Sequence, residues 1–85
     1  MEGYIGEIRI FAGNFAPRGW AFCDGRLYAI SQNVALFALI GTAYGGDGRT
    51  TFAVPNLPAP VYSPVADTSS GRYIICLQGI FPSRP

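Results

Sequence analysis

A glycine-rich segment, "YGGDGRTTFAVPNL" from Tyr44 to Leu57, comes closest in residue types to a known chemical motif. A phosphate-binding loop requires a glycine, four further residues, Gly-Lys-Ser/Thr, and then a helix whose amides face the phosphates. Here Gly48 is followed by Arg49 instead of lysine, and Ala43 takes the first glycine position. A strand-like run follows in place of the helix. We interpret the segment as a shaped turn, in which Asp47 either pairs with Arg49 or caps local amides.

The other polar residues do not form a recognisable catalytic set. The chain has no histidine, so a serine or cysteine nucleophile lacks its usual base. Among the five acidic residues only Glu2 and Glu7 are close in sequence, which leaves a two-carboxylate hydrolase of cell-wall sugar as a minor alternative. A calcium loop needs more carboxylates than Asp47 alone. We therefore expect no enzymatic activity and no cofactor.

Cys23 and Cys76 are the only cysteines. Both lie in apolar, strand-like runs, which favours two small buried thiols and leaves a disulfide as the alternative. A zinc site within one subunit needs four Cys or His ligands, so we expect no metal.

Composition indicates one domain, residues 1–85, with a thin core. Hydrophobic residues make up 49% of the chain and charged residues 13%. For a chain of this length, apolar burial and the cost of ordering nearly cancel, so contacts with other subunits are the expected supplement. We therefore expect a homo-oligomer or polymer.

Charge and hydropathy exclude two classes of partner. Six arginines are scattered along a chain of net charge +1, without the basic stripe that nucleic acid requires. The longest apolar run, Val34 to Ile40, is too short to span a bilayer. Glu2 and Glu7 stand where a classical signal peptide would be basic and then apolar, so no such signal is visible.

Periodicity predicts the first strand and a hairpin. From Ile5 to Phe11, Ile8 and Ile10 alternate with polar residues, which predicts a strand with the isoleucines buried and Glu7 in solvent. Asp24-Gly25 is flanked by apolar residues, which predicts a hairpin from Trp20 to Ile30.

The rest of the chain predicts a short helix, a connection and a last strand. A helix from about Gln32 to Ile40, apolar nearly all round, is expected to be buried, with Ser31 and Gly41 as caps. Pro58 to Ser70 is rich in Pro, Ser and Thr and predicts a long loop or arm. Tyr73 to Leu77 predicts a strand buried on both faces. These elements indicate a small α+β domain.

Aromatic residues are expected mainly in the core. The predicted core members are Phe11, Trp20, Phe22, Phe37, Phe52 and Tyr73. Tyr44 and Tyr62 fall in loops and are expected to make surface contacts.

The segment "GEIRIFAGNFAPRGWAFCDGRLYAISQNVALFALIGTAYGGDGRTTFAVPNL", from Gly6 to Leu57, closely resembles the start of the phage tail collar domain family, which includes the microcystin-dependent proteins. The closing "YIICLQGIFPSR", Tyr73 to Arg84, resembles that family's C-terminal segment. The resemblance implies a compact mixed α/β domain of tail fibres in phages and contractile injection systems, commonly as intertwined trimers. Family members usually carry a basic Arg-Gly-Arg stretch and a long insertion where Pro58 to Ser70 stands here. The receptor surface or interchain metal site of that insertion is therefore not carried over.

We expect a non-enzymatic structural subunit that self-assembles into a phage-tail-like or extracellular fibre, tube or ring. The alternative is a receptor- or glycan-binding tip module of a phage or contractile-injection-system tail fibre. Expected partners are copies of itself, other tail or baseplate proteins and, for the alternative, a surface glycan. The expected location is extracellular or in a virion or tail-like particle. The candidate interface or loop-structuring residues are Tyr44, Asp47, Arg49, Tyr62, Tyr73, Phe81 and Arg84.

Overall fold

Short strands and one short helix make up the structure, a computed structural model that describes residues 3–58 and 71–82. The elements are β1 (Ile8–Phe11), β2 (Trp20–Phe22), β3 (Leu27–Ala29), a 3₁₀ turn (Ile30–Gln32), α1 (Val34–Ile40), β4 (Thr51–Ala53) and β5 (Arg72–Cys76). All strand pairs are antiparallel, and together with α1 they confirm the α+β class. Most of the predicted arm, with Tyr62, lies outside the described residues, and so does Arg84.

The larger sheet has three strands, with β5 in the middle between β1 and β2. Ile74, Ile75 and Cys76 of β5 are buried in succession. Because successive side chains of a strand point to opposite faces, this confirms the prediction of a last strand covered on both sides. The strand begins and ends one residue earlier than predicted.

The hairpin predicted from Trp20 to Ile30 is wrong, although both of its strands exist. β2 pairs with β5, whereas β3 pairs with β4 in a second sheet of two strands. The expected turn needs positive φ at both central residues, but Gly25 has it and Asp24 does not. Instead, the Leu57 N–H donates to the Cys23 C=O. Because β2 belongs to the larger sheet and β3 to the smaller one, the chain passes from one sheet to the other between Phe22 and Leu27.

A turn sets the start of β1. The Glu7 N–H donates to the Tyr4 C=O at 2.9 Å, and Gly6 has a φ of 85°. Because this turn cannot be part of a regular strand, β1 begins at Ile8 instead of the predicted Ile5.

The buried face of β1 is the opposite of the predicted one. Ile8 and Ile10 are 42% and 48% exposed. Glu7 and Arg9 are half-buried, and the Arg9 guanidinium carbon lies 5.2 Å from the centroid of the Trp20 ring. An arginine side chain can cover an aromatic ring and keep its charge near water. The alternation therefore located the strand but assigned its faces wrongly.

The helix predicted from Gln32 to Ile40 is formed in two parts. The 3₁₀ turn Ile30–Gln32 comes first, and α1 begins at Val34. Ser31 lies inside the 3₁₀ turn, so its prediction as the cap is wrong. Asn33 is the N-terminal cap of α1, without a side-chain hydrogen bond to the helix.

The exposure of α1 also differs from the prediction. Leu36 is its one buried residue, whereas Val34 is 62% exposed and Leu39 is also exposed. Gly41 does end the helix, and its N–H donates to the Phe37 C=O at 2.8 Å. Its φ of 55° and ψ of −141° lie outside the left-handed helical region. The helix packs through one side only and leaves an apolar side in solvent.

Two hydrophobic clusters form the core. One joins residues of β2, α1, β4 and β5, and the other is centred on Trp20, Ile74 and Cys76. Of the six aromatic residues predicted for the core, Trp20 and Phe52 are buried in these clusters, and the other four are partly buried and pack against them. Cys23 and Cys76 are free and buried, so the disulfide alternative is wrong.

Candidate functional site

The glycine-rich loop between α1 and β4 is organised around the carboxylate of Asp47. Its Oδ1 accepts the backbone N–H groups of Arg49, Thr50 and Thr51 at 2.9, 2.9 and 3.0 Å. Its Oδ2 accepts the Thr50 hydroxyl at 3.0 Å. Hydrogen bonds to an ionised carboxylate favour that form. The amides of Thr51, Thr50 and Arg49 therefore hold the pKa of Asp47 well below its usual range.

The Asp47 carboxylate takes the place that an anion would have in a phosphate-binding loop. In such a loop, backbone amides converge on the phosphate. Here they converge on a side chain of the same loop. Of the two alternatives for Asp47, the geometry is that of amide capping, and the ion pairs found among the described residues do not include Asp47 with Arg49.

Gly46 allows this loop to lie directly against β4. A Cβ atom at this position would lie 2.4 Å from the Cα of Phe52 and 2.6 Å from the backbone oxygen of Thr51. The neighbouring Gly45 C=O accepts the Ala53 N–H at 3.0 Å. The loop is therefore fastened to the strand by backbone contacts that a larger residue would prevent.

The predicted interface residues lie in different elements. Tyr44, Asp47 and Arg49 share the glycine-rich loop, where Tyr44 and Arg49 are exposed. Tyr73 is half-buried in β5, and Phe81 is exposed after the last strand. The structure therefore brings together three of the five candidates that it describes.

The larger sheet has an apolar edge that the sequence did not predict. β1 is an outer strand that pairs only with β5 in this sheet. The Cys76 N–H donates to the Glu7 C=O. The alternation of an antiparallel ladder therefore turns the backbone N–H and C=O groups of Ile8 and Ile10 away from β5. We call Ile8 and Ile10, with the flanking Glu7 and Arg9, the β1 edge.

The two charged residues of the β1 edge form an ion pair. The Arg9 Nε lies 2.7 Å from the Glu7 Oε2, and the Tyr4 N–H donates to the Glu7 Oε1 at 2.9 Å. The hydrogen bond from Arg9, followed by that from Tyr4, lowers the pKa of Glu7. The alternating sequence of β1 was a signal for an edge with one charged and one apolar face, but it did not show that the apolar face is open.

A cleft of about 410 Å³ lies next to Trp20 and Phe22. Its charged groups already have partners, since the Arg72 guanidinium lies 3.6 Å from the Phe22 ring centroid. The Arg26 Nη2 lies 3.6 Å from an oxygen of Asp24. The described residues that line the cleft include no serine, cysteine or histidine, so they offer no Ser-His or Cys-His pair.

Residues 3–58 and 71–82 contain neither a metal-binding cluster nor a helix that could span a membrane. No cluster of His, Cys, Asp and Glu there could hold a metal ion. None of the helices in those ranges is long and apolar enough to cross a membrane.

The family model described as the phage tail collar domain matches residues 6–61, about two thirds of the chain. The chain belongs to the phage tail collar domain family. No curated protein and no solved structure matches it. The matched range contains the β1 edge and the Asp47 loop, whereas β5 lies beyond it.

Membership of the phage tail collar family identifies a structural tail domain. The family implies a tail-associated location and association with other tail proteins or with further copies of the chain. The resemblance of the segment from Gly6 to Leu57 is thereby confirmed, whereas the resemblance of Tyr73 to Arg84 lies outside the matched range and stays a prediction.

Proposed function

We propose that this tail collar domain is a non-enzymatic structural subunit that assembles with copies of itself into a phage-tail-like or extracellular fibre, tube or ring. Other tail or baseplate proteins are its further partners. The observation that carries this proposal is the amount of apolar surface left open in the described part of the chain.

Ten large apolar side chains of the described residues are at least 40% exposed, against eleven buried apolar residues in the core. The ten are Tyr4, Ile8, Ile10, Phe15, Leu27, Val34, Leu39, Tyr44, Ile80 and Phe81. Single exposed apolar residues are ordinary, but contiguous groups mark interaction surfaces. Two such groups are visible, because Ile8 and Ile10 share one face of β1, and Tyr4 forms a bridge with Ile80 next to Phe81.

The small size of the chain also supports assembly with other copies. Of the buried apolar residues, Ala21, Ala53 and the two cysteines are small. A core of this size stabilises a chain of 85 residues only marginally, because ordering the backbone and side chains costs about as much as burial returns. Contacts between subunits would bury the exposed groups and add to the free energy of unfolding.

The alternative, a glycan-binding tip, has less support from the geometry. The Asp47 carboxylate is used by the amides of its own loop. Tyr44 and Arg49 are then the exposed groups of the loop that a sugar could contact. Specific binding on a glycan array that is lost in Tyr44→Ala, while assembly is retained, would favour this alternative.

Sedimentation velocity and negative-stain electron microscopy test the proposed function. The expected result at micromolar concentration is a species several times larger than the 9.1 kDa subunit, with regular particles in the images. A folded 9.1 kDa monomer at every concentration up to about 100 μM, a range in which a specific assembly should form, would refute the proposal.

A further inference from the structure

We propose that two copies of this chain pair through the β1 edge, strand against strand and antiparallel, with Ile8 of one copy facing Ile8 of the other across a two-fold axis. This inference rests on the proposed self-assembly and names the surface that carries it.

The backbone of β1 supplies the first argument. The N–H and C=O groups of Ile8 and Ile10 point away from β5, and no strand of the described chain lies on that side. An open strand edge is a template for a further strand. A two-fold axis lets the same edge serve both partners, which is the usual arrangement in homodimeric contacts.

Charge selects the register. If the axis passes through Ile8, Glu7 of each copy lies opposite Arg9 of the other, and opposite charges across a ladder stabilise it. An axis through Arg9 would set two guanidinium groups face to face, which destabilises the pair. An axis through Ile10 would set Arg9 against Phe11 and add no charge pair between the copies to the Glu7–Arg9 ion pair within each chain. The register centred on Ile8 therefore matches charges in both halves of the contact.

The same register suits the apolar side chains. Ile8, 42% exposed, packs against Ile8 of the second copy, and Ile10 comes opposite the turn at Gly6 that precedes β1 of that copy. Gly6 has no side chain, and a Cβ placed on it would lie 3.5 Å from the Cδ1 of the exposed Leu39. Ile10 therefore meets no side chain from position 6 and lies beside a further apolar group. Four strand residues bury less than the roughly 1,200–2,000 Å² of a standard interface, so this contact works together with others in the assembly.

Cross-linking of the assembled protein tests the register. Ile8→Cys should form a covalent dimer under mild oxidation, because residues paired across antiparallel strands lie within the span of a disulfide. Two controls should give no more than traces of covalent dimer. These are the unsubstituted chain, whose Cys23 and Cys76 are buried, and Val34→Cys, an exposed position on α1 outside both apolar groups. Ile10→Cys should react less than Ile8→Cys, because its partner is a glycine.

A matched pair of lysine variants tests the surface itself. Ile8→Lys should raise the concentration at which the assembly forms by at least about tenfold, because two buried isoleucines are lost per contact. Val34→Lys changes a similar exposed residue on α1 and should leave that concentration within about twofold. Circular dichroism confirms that both variants are folded.

The outcomes separate this inference from the proposed function. If the unsubstituted chain is monomeric, the proposed function fails, and the inference fails with it. If that chain assembles, but Ile8→Cys cross-links no better than Val34→Cys and Ile8→Lys assembles normally, the β1 edge alone is ruled out. Efficient cross-linking of Ile8→Cys together with weakened assembly of Ile8→Lys supports the inference.

Discussion

Replacement of Gly46 by alanine should destabilise the protein more than the same replacement at Gly41. Both glycines have positive φ, 97° and 55°, which side chains rarely adopt. The cost of forcing alanine into such a conformation is about 1–3 kcal/mol at either site. Both replacements also reduce the freedom of the unfolded chain by a similar amount. The comparison therefore isolates the space around each Cβ atom.

That space differs sharply between the two sites. Nothing lies within 4 Å of a Cβ at Gly41, whereas a Cβ at Gly46 would lie 2.4 Å from the Cα of Phe52. Ordinary contact would require the loop and β4 to separate by about 1 Å, and rearrangements of this kind cost about 1–3 kcal/mol. The expected total for Gly46→Ala is about 2–6 kcal/mol, a large part of the roughly 5–15 kcal/mol that stabilises a domain.

Urea unfolding at one fixed protein concentration, followed by the fluorescence of the buried Trp20, measures the difference. The expected result is a clearly lower midpoint for Gly46→Ala than for Gly41→Ala. Equal midpoints would show that the loop does not depend on its close approach to β4, and that the backbone contact can relax at no cost.

Three further predictions concern the core, the Asp47 loop and the thiols. Phe52→Ala should lower the free energy of unfolding by about 3–5 kcal/mol, because the ring is fully buried and packs against Phe37; a loss below about 1 kcal/mol in urea titrations would contradict the described packing. The lowered pKa of Asp47 contributes stability that is present above its unfolded pKa of about 3.9 and is lost as pH falls through the lower folded pKa. Thermal melts at neutral pH should therefore give a lower melting temperature for Asp47→Asn than for the unsubstituted chain, and this difference should disappear below about pH 4. A difference in melting temperature that is independent of pH would be inconsistent with this role of Asp47. Burial raises the pKa of Cys23 to about 11 and also shields Cys76 from reagents. A disulfide reagent at pH 8 should therefore modify the folded protein at least about 100-fold more slowly than the urea-unfolded protein. Rapid modification of either thiol in the folded protein would disprove their burial.

Local chemistry was enough to predict several parts of the fold. The unbroken apolar run of β5 indicated a strand covered on both faces, and the glycines around Asp47 indicated a shaped turn. In both places the signal lies within a few neighbouring residues, because the residues themselves decide burial or backbone angle. The aromatic core was predictable for the same reason.

Features that depend on distant partners were not predictable in this way. Asp24-Gly25 has the composition of a hairpin turn, but the two flanking strands do not pair with each other. Instead, β2 pairs with β5, and β3 pairs with β4. The alternation in β1 defines two faces without showing which one is covered. Arg9 covers Trp20 and leaves Ile8 open, and this choice depends on a residue of another strand.

The position of β5 has a consequence for how the protein is made. It is the last of the strands in residues 3–58 and 71–82, yet it lies in the middle of its sheet. While the ribosome is still translating the residues before Arg72, β1 and β2 have no neighbour to join, so the nascent chain cannot close this sheet early. A prematurely terminated product lacks the central strand altogether and stays open to proteases. Synthesis of β5 is therefore required before this sheet can form.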